Sequence, residues 1–290
     1  MSSSTAGQAC YVLATAAYNE EALIERTIQS VLAQTVAPAA WVIVSDGSSD
    51  RTDQIVHSYA VRYPFIELLR VERTEERNFG SKVRALQAGL SRLKTLSYQF
   101  IGNLDADLTF DSGYFEALLE KFRRDPGLGV AGGWIHESDG AGFCARSFNS
   151  TDSVPHGVHL LRRECSLAVG DYLPLRYGGE DTCADVTARM LGWKVRAFAD
   201  LPVFHHRKGS TAGGLLRNRF KRGLMHYSLG YLPRYELLSC VRRTAAHPFA
   251  IGAMLQMAGF CWGCLRRESR PVSTRFVTFL RDEQRARMRP

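Results

Sequence analysis

Two acidic clusters each close a short apolar run, and their carboxylates are the side chains of this chain best placed to do chemistry. Trp41-Val42-Ile43-Val44 leads into Asp46 and then Gly47-Ser48-Ser49-Asp50, while Phe100-Ile101-Gly102-Asn103-Leu104 leads into Asp105-Ala106-Asp107. Apolar runs this short, rich in branched and aromatic residues, predict buried strands of a mostly parallel sheet. Ligands of such sheets bind beyond the carboxyl ends of the strands. Carboxylates there, one set an Asp-X-Asp pair, suit a hard cation and a phosphate-bearing ligand. A nucleotide-sugar site unites these features.

The elements that must position these acids can be read from the same pattern. Tyr11 to Ala17 predicts the first strand, followed by Asn19 as a helix N-cap with Glu20 and Glu21 in the first turn. Leu23, Ile24, Ile28, Val31 and Leu32 supply that helix with an apolar face. The second strand ends at Asp46, and Asp50 starts a helix reaching about Tyr63. Phe65 to Val71 reads as a third strand, Lys82 to Leu96 as a helix, and Tyr98 to Leu104 as a fourth strand. Such alternation predicts an α/β sheet with crossover helices. No G-x-x-x-x-G-K-[ST] loop is present and no G-x-G-x-x-G follows the first strand, which disfavours a P-loop NTPase and a dinucleotide-binding fold.

With 290 residues the chain exceeds the usual single-domain size, so a large domain with an appendage, or two domains, is expected. A hydrophobic fraction of 45% suits a globular protein and is too low for a multi-span membrane protein. Met1 to Ala9 has neither a basic nor an apolar stretch, so no secretory signal is visible. Seven scattered cysteines, an odd number, point to reduced thiols and the cytoplasm. Cys261-x-x-Cys264 lies inside an apolar stretch without partner ligands, which disfavours a metal or redox role.

The net charge of +8 conceals an asymmetry. Residues 203–290 carry 17 Lys+Arg against 4 Asp+Glu, a net of +13, whereas residues 1–202 carry a net of −5. A basic tail seeks a polyanion. Phe249 to Leu265 has Gln256 as its one strongly polar residue and is bracketed by Arg242-Arg243 and Arg266-Arg267. As a helix it would be roughly 25 Å long, short of a hydrocarbon core of ~30 Å. Ahead of it Leu216, Phe220, Leu224, Tyr227 and Tyr231 fall on one helical face, with Arg217, Arg219, Lys221 and Arg222 around the other side. That pattern predicts a basic interfacial helix, and membrane contact is preferred to packing on the catalytic domain. Nucleic acid is disfavoured as a partner. Arginine at both ends gives no orientation, and lying in the interface is preferred to spanning.

Four motifs in order carry a family resemblance: Tyr18-Asn19-Glu20-Glu21, Val44-Ser45-Asp46-Gly47-Ser48-Ser49-Asp50, Asp105-Ala106-Asp107 and Gly178-Gly179-Glu180-Asp181. Over roughly residues 10–210 the chain resembles family 2 glycosyltransferases of the GT-A fold. Lys82-Val-Arg-Ala-Leu-Gln-Ala-Gly-Leu90 is similar to the family's G-K-x-x-A-L-N-x-G-L helix, departing at Ser81 and Gln87. Tyr231-Leu-Pro and the Arg-rich end resemble members that build bacterial exopolysaccharides. The resemblance implies an α/β, Rossmann-like, mixed and mostly parallel sheet flanked by helices over residues 8–210. A basic, helical, membrane-associated extension would occupy 211–290.

By the same resemblance Asp46 accepts a hydrogen bond from the base and Tyr18 packs beside the nucleoside, with Glu20 in the same nucleotide-sugar-binding motif. An Asx-turn at Asp46 and core packing at Tyr18 are the structural alternatives. Asp107 would bind Mg²⁺ or Mn²⁺, with Asp105 directed to the ribose or the metal shell, and a solvated turn is the competing account. Lys82 either adds positive charge near the phosphates or is an exposed helix lysine. Leu160 to Cys165 reads as a strand with a basic turn, ahead of the glycine-rich motif and a helix through Arg189 that ends at Gly192-Trp193. Asp181 is implied to be the general base that deprotonates an acceptor hydroxyl, with Glu180 as the fallback and helix capping as the structural alternative. Direct displacement of this kind inverts configuration. The family often has a second acidic residue two positions after the base, where this chain has Cys183 and then Asp185. After a strand over Lys194 to Phe198 and Leu201-Pro202, His205 is the histidine chosen to complete the metal shell, since adjacent histidines on an extended segment diverge. Arg207 and Lys208 either help hold the diphosphate or begin the basic tail.

Three function classes remain at this level. The first is an inverting, metal-dependent glycosyltransferase acting on a glycan or lipid-linked acceptor in surface or extracellular polysaccharide synthesis, peripheral or monotopic at the inner face of the plasma membrane. A polyprenyl-phosphate sugar synthase differs in attacking through a phosphate, and Glu180-Asp181 argues for a hydroxyl acceptor. A nucleotidyltransferase would carry a G-G-x-G-T-R-type loop near the first strand, and Ala14 to Asn19 has none. A non-catalytic nucleotide-sugar or glycan-binding module would not need the acid at 181.

Overall fold

In the computed structural model residues 10–72, 79–138, 142–146, 149–207, 212–244 and 249–289 are described. Met1 to Ala9 and Lys208 lie outside them. Strand and helix alternate through β1 (Tyr11–Ala17), α1 (Ile24–Leu32), β2 (Ala40–Asp46), α2 (Thr52–Ala60), β3 (Ile66–Val71), α3 (Phe79–Leu93) and β4 (Phe100–Asn103). Then come β5 (Leu108–Phe110), α4 (Tyr114–Arg124), β6 (Leu128–Ser138), β7 (Phe143–Ala145), β8 (Leu160–Arg162), α5 (Arg163–Val169), α6 (Glu180–Met190) and β9 (Lys194–His205). Four helices end the chain: α7 (Ala212–Ser228), α8 (Pro233–Arg242), α9 (Phe249–Arg266) and α10 (Thr274–Met288).

The strands form one sheet in the order β3-β2-β1-β4-β8-β6-β9-β5, with β7 paired to β6. It is a mixed sheet, parallel over most of its paired length: β1 to β4 and β6 with β9 run parallel, and β8 and β5 run against their neighbours. Alternate residues of each central strand enter opposite cores. Tyr11, Leu13, Trp41 and Ile43 pack with Ile28 of α1, Val56 of α2 and Phe122 of α4, while Val12, Ala14, Val42 and Val44 pack with Leu86 of α3 and Ala188 of α6. Burial of both faces is why these strands read as unbroken apolar runs. β1 lies between β2 and β4, so the order reverses beside it, and the crevice at the carboxyl ends opens there.

Three local expectations differ from the structure. Asn19 does not cap α1; it sits at φ 52 and its Oδ1 accepts from the Ser49 N–H at 2.9 Å, tying the first loop to the second. An Asn side chain competes for nearby backbone groups, and here the neighbouring loop outbids the helix, which starts at Ile24. Asp50 is outside α2, where its Oδ1 accepts from the Thr52 N–H at 2.9 Å. Arg163-Glu164-Cys165 opens α5 instead of extending β8, and Cys165 is drawn into the core.

The C-terminal helices pack closely. A Cβ on Gly223 of α7 would come within 1.9 Å of the Gln256 carbonyl oxygen of α9, and one on Gly259 within 2.0 Å of the Phe220 carbonyl oxygen. Only glycine permits backbones to meet this way. Leu224 and Tyr227 are consequently buried, at 7% and 8% exposure, so the α7 face expected to meet lipid packs against protein. Gln256 is buried and donates to Glu236 Oε1 at 2.9 Å, which accounts for one polar residue in an otherwise apolar helix. The large apolar side chains left outside on these helices are Leu216 on α7, Leu237, Leu238 and Val241 on α8, and Ile251, Met254, Trp262 and Leu265 on α9. Among the described residues no helix is long and apolar enough to cross a membrane.

Candidate active site

The carboxyl edge gathers the acids. Asp46 ends β2 and is buried at 8% exposure; Tyr18 and Glu20 follow β1, the first half-buried and the second buried. The β4–β5 turn holds Asp105 and Asp107 beside them. Its path is pinned by the Asp105 N–H donating to the Gly157 carbonyl at 2.9 Å. A Cβ on Gly157 would meet the Asp105 carboxylate at 2.8 Å, so a bare backbone is required at that position.

Each acid of the turn has its own cation. Lys82 on α3 places Nζ 2.8 Å from Asp105 Oδ1, so it is not a lone surface lysine. Burial opposes the charge on Lys82, but Asp105, joined by Glu180 and Asp107, prevails and raises its pKa. Antiparallel pairing of β5 with β9 sets Leu108 opposite His205 and thereby brings the histidine to the same turn. His205 Nε2 lies 3.2 Å from Asp107 Oδ2, and Arg207 Nε donates to that oxygen at 2.8 Å. The other side of the Arg207 guanidinium pairs with the Glu20 carboxylate. Burial works against ionisation of Asp107, yet the bonds from His205 and Arg207 prevail and hold its pKa at about 2. In turn the bond to Asp107 raises the His205 pKa against its burial. His206 diverges from His205, its Nε2 lying 2.7 Å from Thr109 Oγ1.

Opposite this corner α6 begins. Gly179 occupies the N-cap position at φ 95, and Glu180 and Asp181 form the first turn of the helix. Asp181 is therefore not the cap. Its Oδ1 accepts from the Thr182 N–H at 2.6 Å, and the His156 N–H also donates to this carboxylate. Burial raises the Asp181 pKa first, and Asp185 adds to the rise, against those two N–H groups. Glu180, 6% exposed, is raised by burial and by Asp181. Asp185 serves the frame: its Oδ2 accepts from the Val154 N–H at 2.9 Å and its Oδ1 meets His159 Nε2 at 2.8 Å. Buried pairs of this kind hold geometry more than they add stability.

His156 was not singled out by the sequence. It is 8% exposed, with Nδ1 3.1 Å from Asn103 Nδ2 and 4.0 Å from Glu180 Oε1. Burial, then Lys82, pushes its pKa well below the usual value, so it is neutral. Among the described residues its Nε2 has no hydrogen-bond partner. A histidine between two apolar segments has no periodic signature; its proximity to Glu180 exists only once β4, β8 and α6 are assembled.

An Asp-X-Asp turn, a flanking lysine and histidine, and a facing acid at a helix N-terminus thus meet at the carboxyl edge of one sheet. The glycosyl transferase family 2 model matches residues 13–178, and the chain belongs to this family. It is 35% identical over 118 residues to a poly-beta-1,6-N-acetyl-D-glucosamine synthase of Staphylococcus aureus, covering 41% of this chain and 26% of that one. The Staphylococcus epidermidis synthase is 32% identical over 119 residues, again covering 41% and 26%. The match thus spans about a quarter of those relatives' length. Among solved structures, the Pyrobaculum calidifontis mannosyltransferase PcManGT in complex with GDP-Man and Mn²⁺ aligns over 96% of this chain and 80% of its own, with a TM-score of 0.57 and 18% identity. Staphylococcus aureus TarS residues 1–349 with UDP-GlcNAc aligns over 96% and 83%, with a TM-score of 0.56 and 14% identity. The fold is that of GT-A glycosyltransferases, and the chain is a glycosyltransferase.

Proposed function

We propose that this chain is an inverting, divalent-metal-dependent glycosyltransferase. It moves a sugar from a nucleotide-sugar donor to a hydroxyl of a glycan or lipid-linked acceptor during surface or extracellular polysaccharide synthesis. The observation that carries the reading is the convergence of Asp107 and His205 on one point, 3.2 Å apart, with Asp107 held ionised. A carboxylate and an imidazole are donors that a divalent cation accepts, and to bind Asp107 Oδ2 the ion would displace the Arg207 guanidinium now paired there. Among the described residues no three His, Cys, Asp or Glu side chains form a ready cage, and a cation here would share its shell with the donor diphosphate. PcManGT with GDP-Man and Mn²⁺ and GalNAc-T7 with UDP and Mn²⁺ support Mg²⁺ or Mn²⁺ as cofactor. When bound, the ion neutralises charge growing on the leaving diphosphate.

In this reading Asp46 and Tyr18 receive the nucleoside, Glu20 positions Arg207, and Lys82 holds Asp105 toward the sugar-phosphate side. Asp181 takes the proton of the acceptor hydroxyl; its raised pKa brings it nearer the working pH, where a base is most effective. Glu180 lies between base and donor, feeling both Lys82 and Asp105. Residues 8–210 form the transferase unit and 211–290 a helical extension. The exposed apolar side chains of α8 and α9, within a segment of net +13, support attachment to the inner face of the plasma membrane. The test is a panel of nucleotide sugars with Mn²⁺, following nucleoside diphosphate release by wild type and Asp107→Ala. Release from one donor that vanishes in the variant supports the reading, and failure of calorimetry to detect any donor binding overturns it.

A further inference from the structure

His156 has no role in the transfer as described so far, yet it lies between the donor turn and the base. With Gly157 and Val158 it forms a buried 3₁₀ turn. One residue along, a Cβ on Gly157 would lie 2.8 Å from Asp105 Oδ2. On the other side the His156 N–H donates to the Asp181 carboxylate, and its imidazole Nδ1 is 4.0 Å from Glu180 Oε1. A sugar carried from a diphosphate at the Asp105–Asp107 turn to a hydroxyl at Asp181 passes beside this residue.

The hydrogen bonds of the ring fix its tautomer. Asn103 Nδ2 donates to the His156 carbonyl oxygen, which identifies that Asn103 atom as the amide nitrogen. The same nitrogen lies 3.1 Å from His156 Nδ1. It can only donate there, so Nδ1 accepts and the proton of the neutral imidazole is on Nε2. The Tyr172 ring stands edge-on to the imidazole, with 4.8 Å between centroids and 83° between planes, and holds it from a second side. Nε2–H is thus a donor of fixed direction. Among the described residues it has no hydrogen-bond partner, and neither has Glu180 Oε2; both side chains are 8% exposed. Buried polar groups of this kind are normally paired. A donor and an acceptor on neighbouring side chains match a hydroxyl, which accepts one hydrogen bond and donates another.

We infer that His156 is a specificity residue for the donor sugar: its Nε2–H donates to one hydroxyl of the sugar being transferred, and that hydroxyl donates to Glu180 Oε2. The inference rests on the glycosyltransferase reading and adds the part of the site that recognises the sugar as distinct from the nucleotide. A pocket built to bond a hydroxyl rejects sugars that lack it, because both buried groups would then go unpaired.

The test separates sugar from nucleotide by calorimetry on the full chain with Mn²⁺. UDP-GlcNAc is compared with UDP, and GDP-Man with GDP, these being the nucleotide sugars bound by the structural neighbours TarS and PcManGT. His156→Asn keeps a side-chain oxygen where Nδ1 faces Asn103 but falls short of the Nε2 position. His156→Gln carries an amide N–H out to that position. The asparagine variant should bind the nucleotide sugar at least about tenfold more weakly than wild type, with the bare diphosphate within about twofold. The glutamine variant should recover the nucleotide sugar to within about threefold. An asparagine variant that loses the bare diphosphate as well assigns His156 to the frame and overturns the inference. So does unchanged nucleotide-sugar affinity, a glutamine variant as weak as the asparagine one, or wild type that holds a diphosphate but neither nucleotide sugar. Wild type that binds none of the four ligands breaks the glycosyltransferase reading itself, a failure distinct from wild-type binding that the variants leave untouched.

Discussion

The donor edge and the α7–α8 corner handle charge in opposite ways. At the donor edge every acid of the β4–β5 turn meets a cation: Asp105 has Lys82, and Asp107 has His205 and Arg207. In the α7–α8 corner burial, then Arg222, Arg219 and Arg146, pushes the Arg243 pKa down to about 9. The first arrangement presets the charges of the turn, leaving little to rearrange when a ligand arrives. The second takes charge out of water and sets like charges within range of one another.

The comparison breaks most visibly at Asp107. Asp107→Ala is expected to lower nucleoside diphosphate release by about 10²–10³-fold, the scale of losing one key electrostatic stabiliser, measured under saturating donor and Mn²⁺. Asp181→Asn should lower transfer to acceptor by about 10²–10⁴-fold while donor binding by calorimetry stays within about twofold, because a base acts on the acceptor side alone. Near-normal transfer by this variant would remove Asp181 from the mechanism.

A pH profile sharpens the contrast further. Burial and Asp185 raise the Asp181 pKa, and the base works only when ionised. Transfer should therefore be lost as pH falls through that raised pKa, placing the acid limb of kcat/KM above the ordinary carboxylate range of about 4. An acid limb at or below that range contradicts the assignment. The smallest effect concerns stability. The folded-state pKa of Glu180 is raised by burial and Asp181, so its ionised form costs stability at every pH above that value, and protonation restores it. Glu180→Gln, neutral throughout, should raise the thermal midpoint at pH 7 by roughly 2 °C for a chain of this size, with the gain shrinking in acid. A lowered midpoint would show the charge to be stabilising.

What could be read before folding follows from where the information sits. β1 to β4 were legible because strands buried on both faces leave continuous apolar runs, and the acids follow at fixed points. The Gly178-Gly179-Glu180-Asp181 turn was legible because both glycines sit at positive φ, a local requirement. His156 was not, since its meaning comes from neighbours on three other elements. The α7 face was misread for a related reason. Leu224 and Tyr227 have the spacing of an interfacial helix, but α9 buries them, with Gly263 against the Tyr227 ring and Gly259 against the Leu224 backbone, and nothing near α7 in the chain announces it. Periodicity tells which face is apolar and is silent on what covers it.

The Glu20–Arg207–Asp107 bridge also sets an order of assembly. Glu20 and Arg207 are 187 residues apart and Asp107 and Arg207 are 100 apart, so this corner depends on the longest loop closures of the sheet. Loop-closure entropy makes such contacts late to form. A growing chain that has released β1 to β5 holds Glu20, Asp105 and Asp107 and, among their eventual cations, only Lys82. Until β9 arrives and pairs with β5, Glu20 and Asp107 lack the cations that meet them in the fold, and synthesis of the last strand with the arginine just beyond it supplies them.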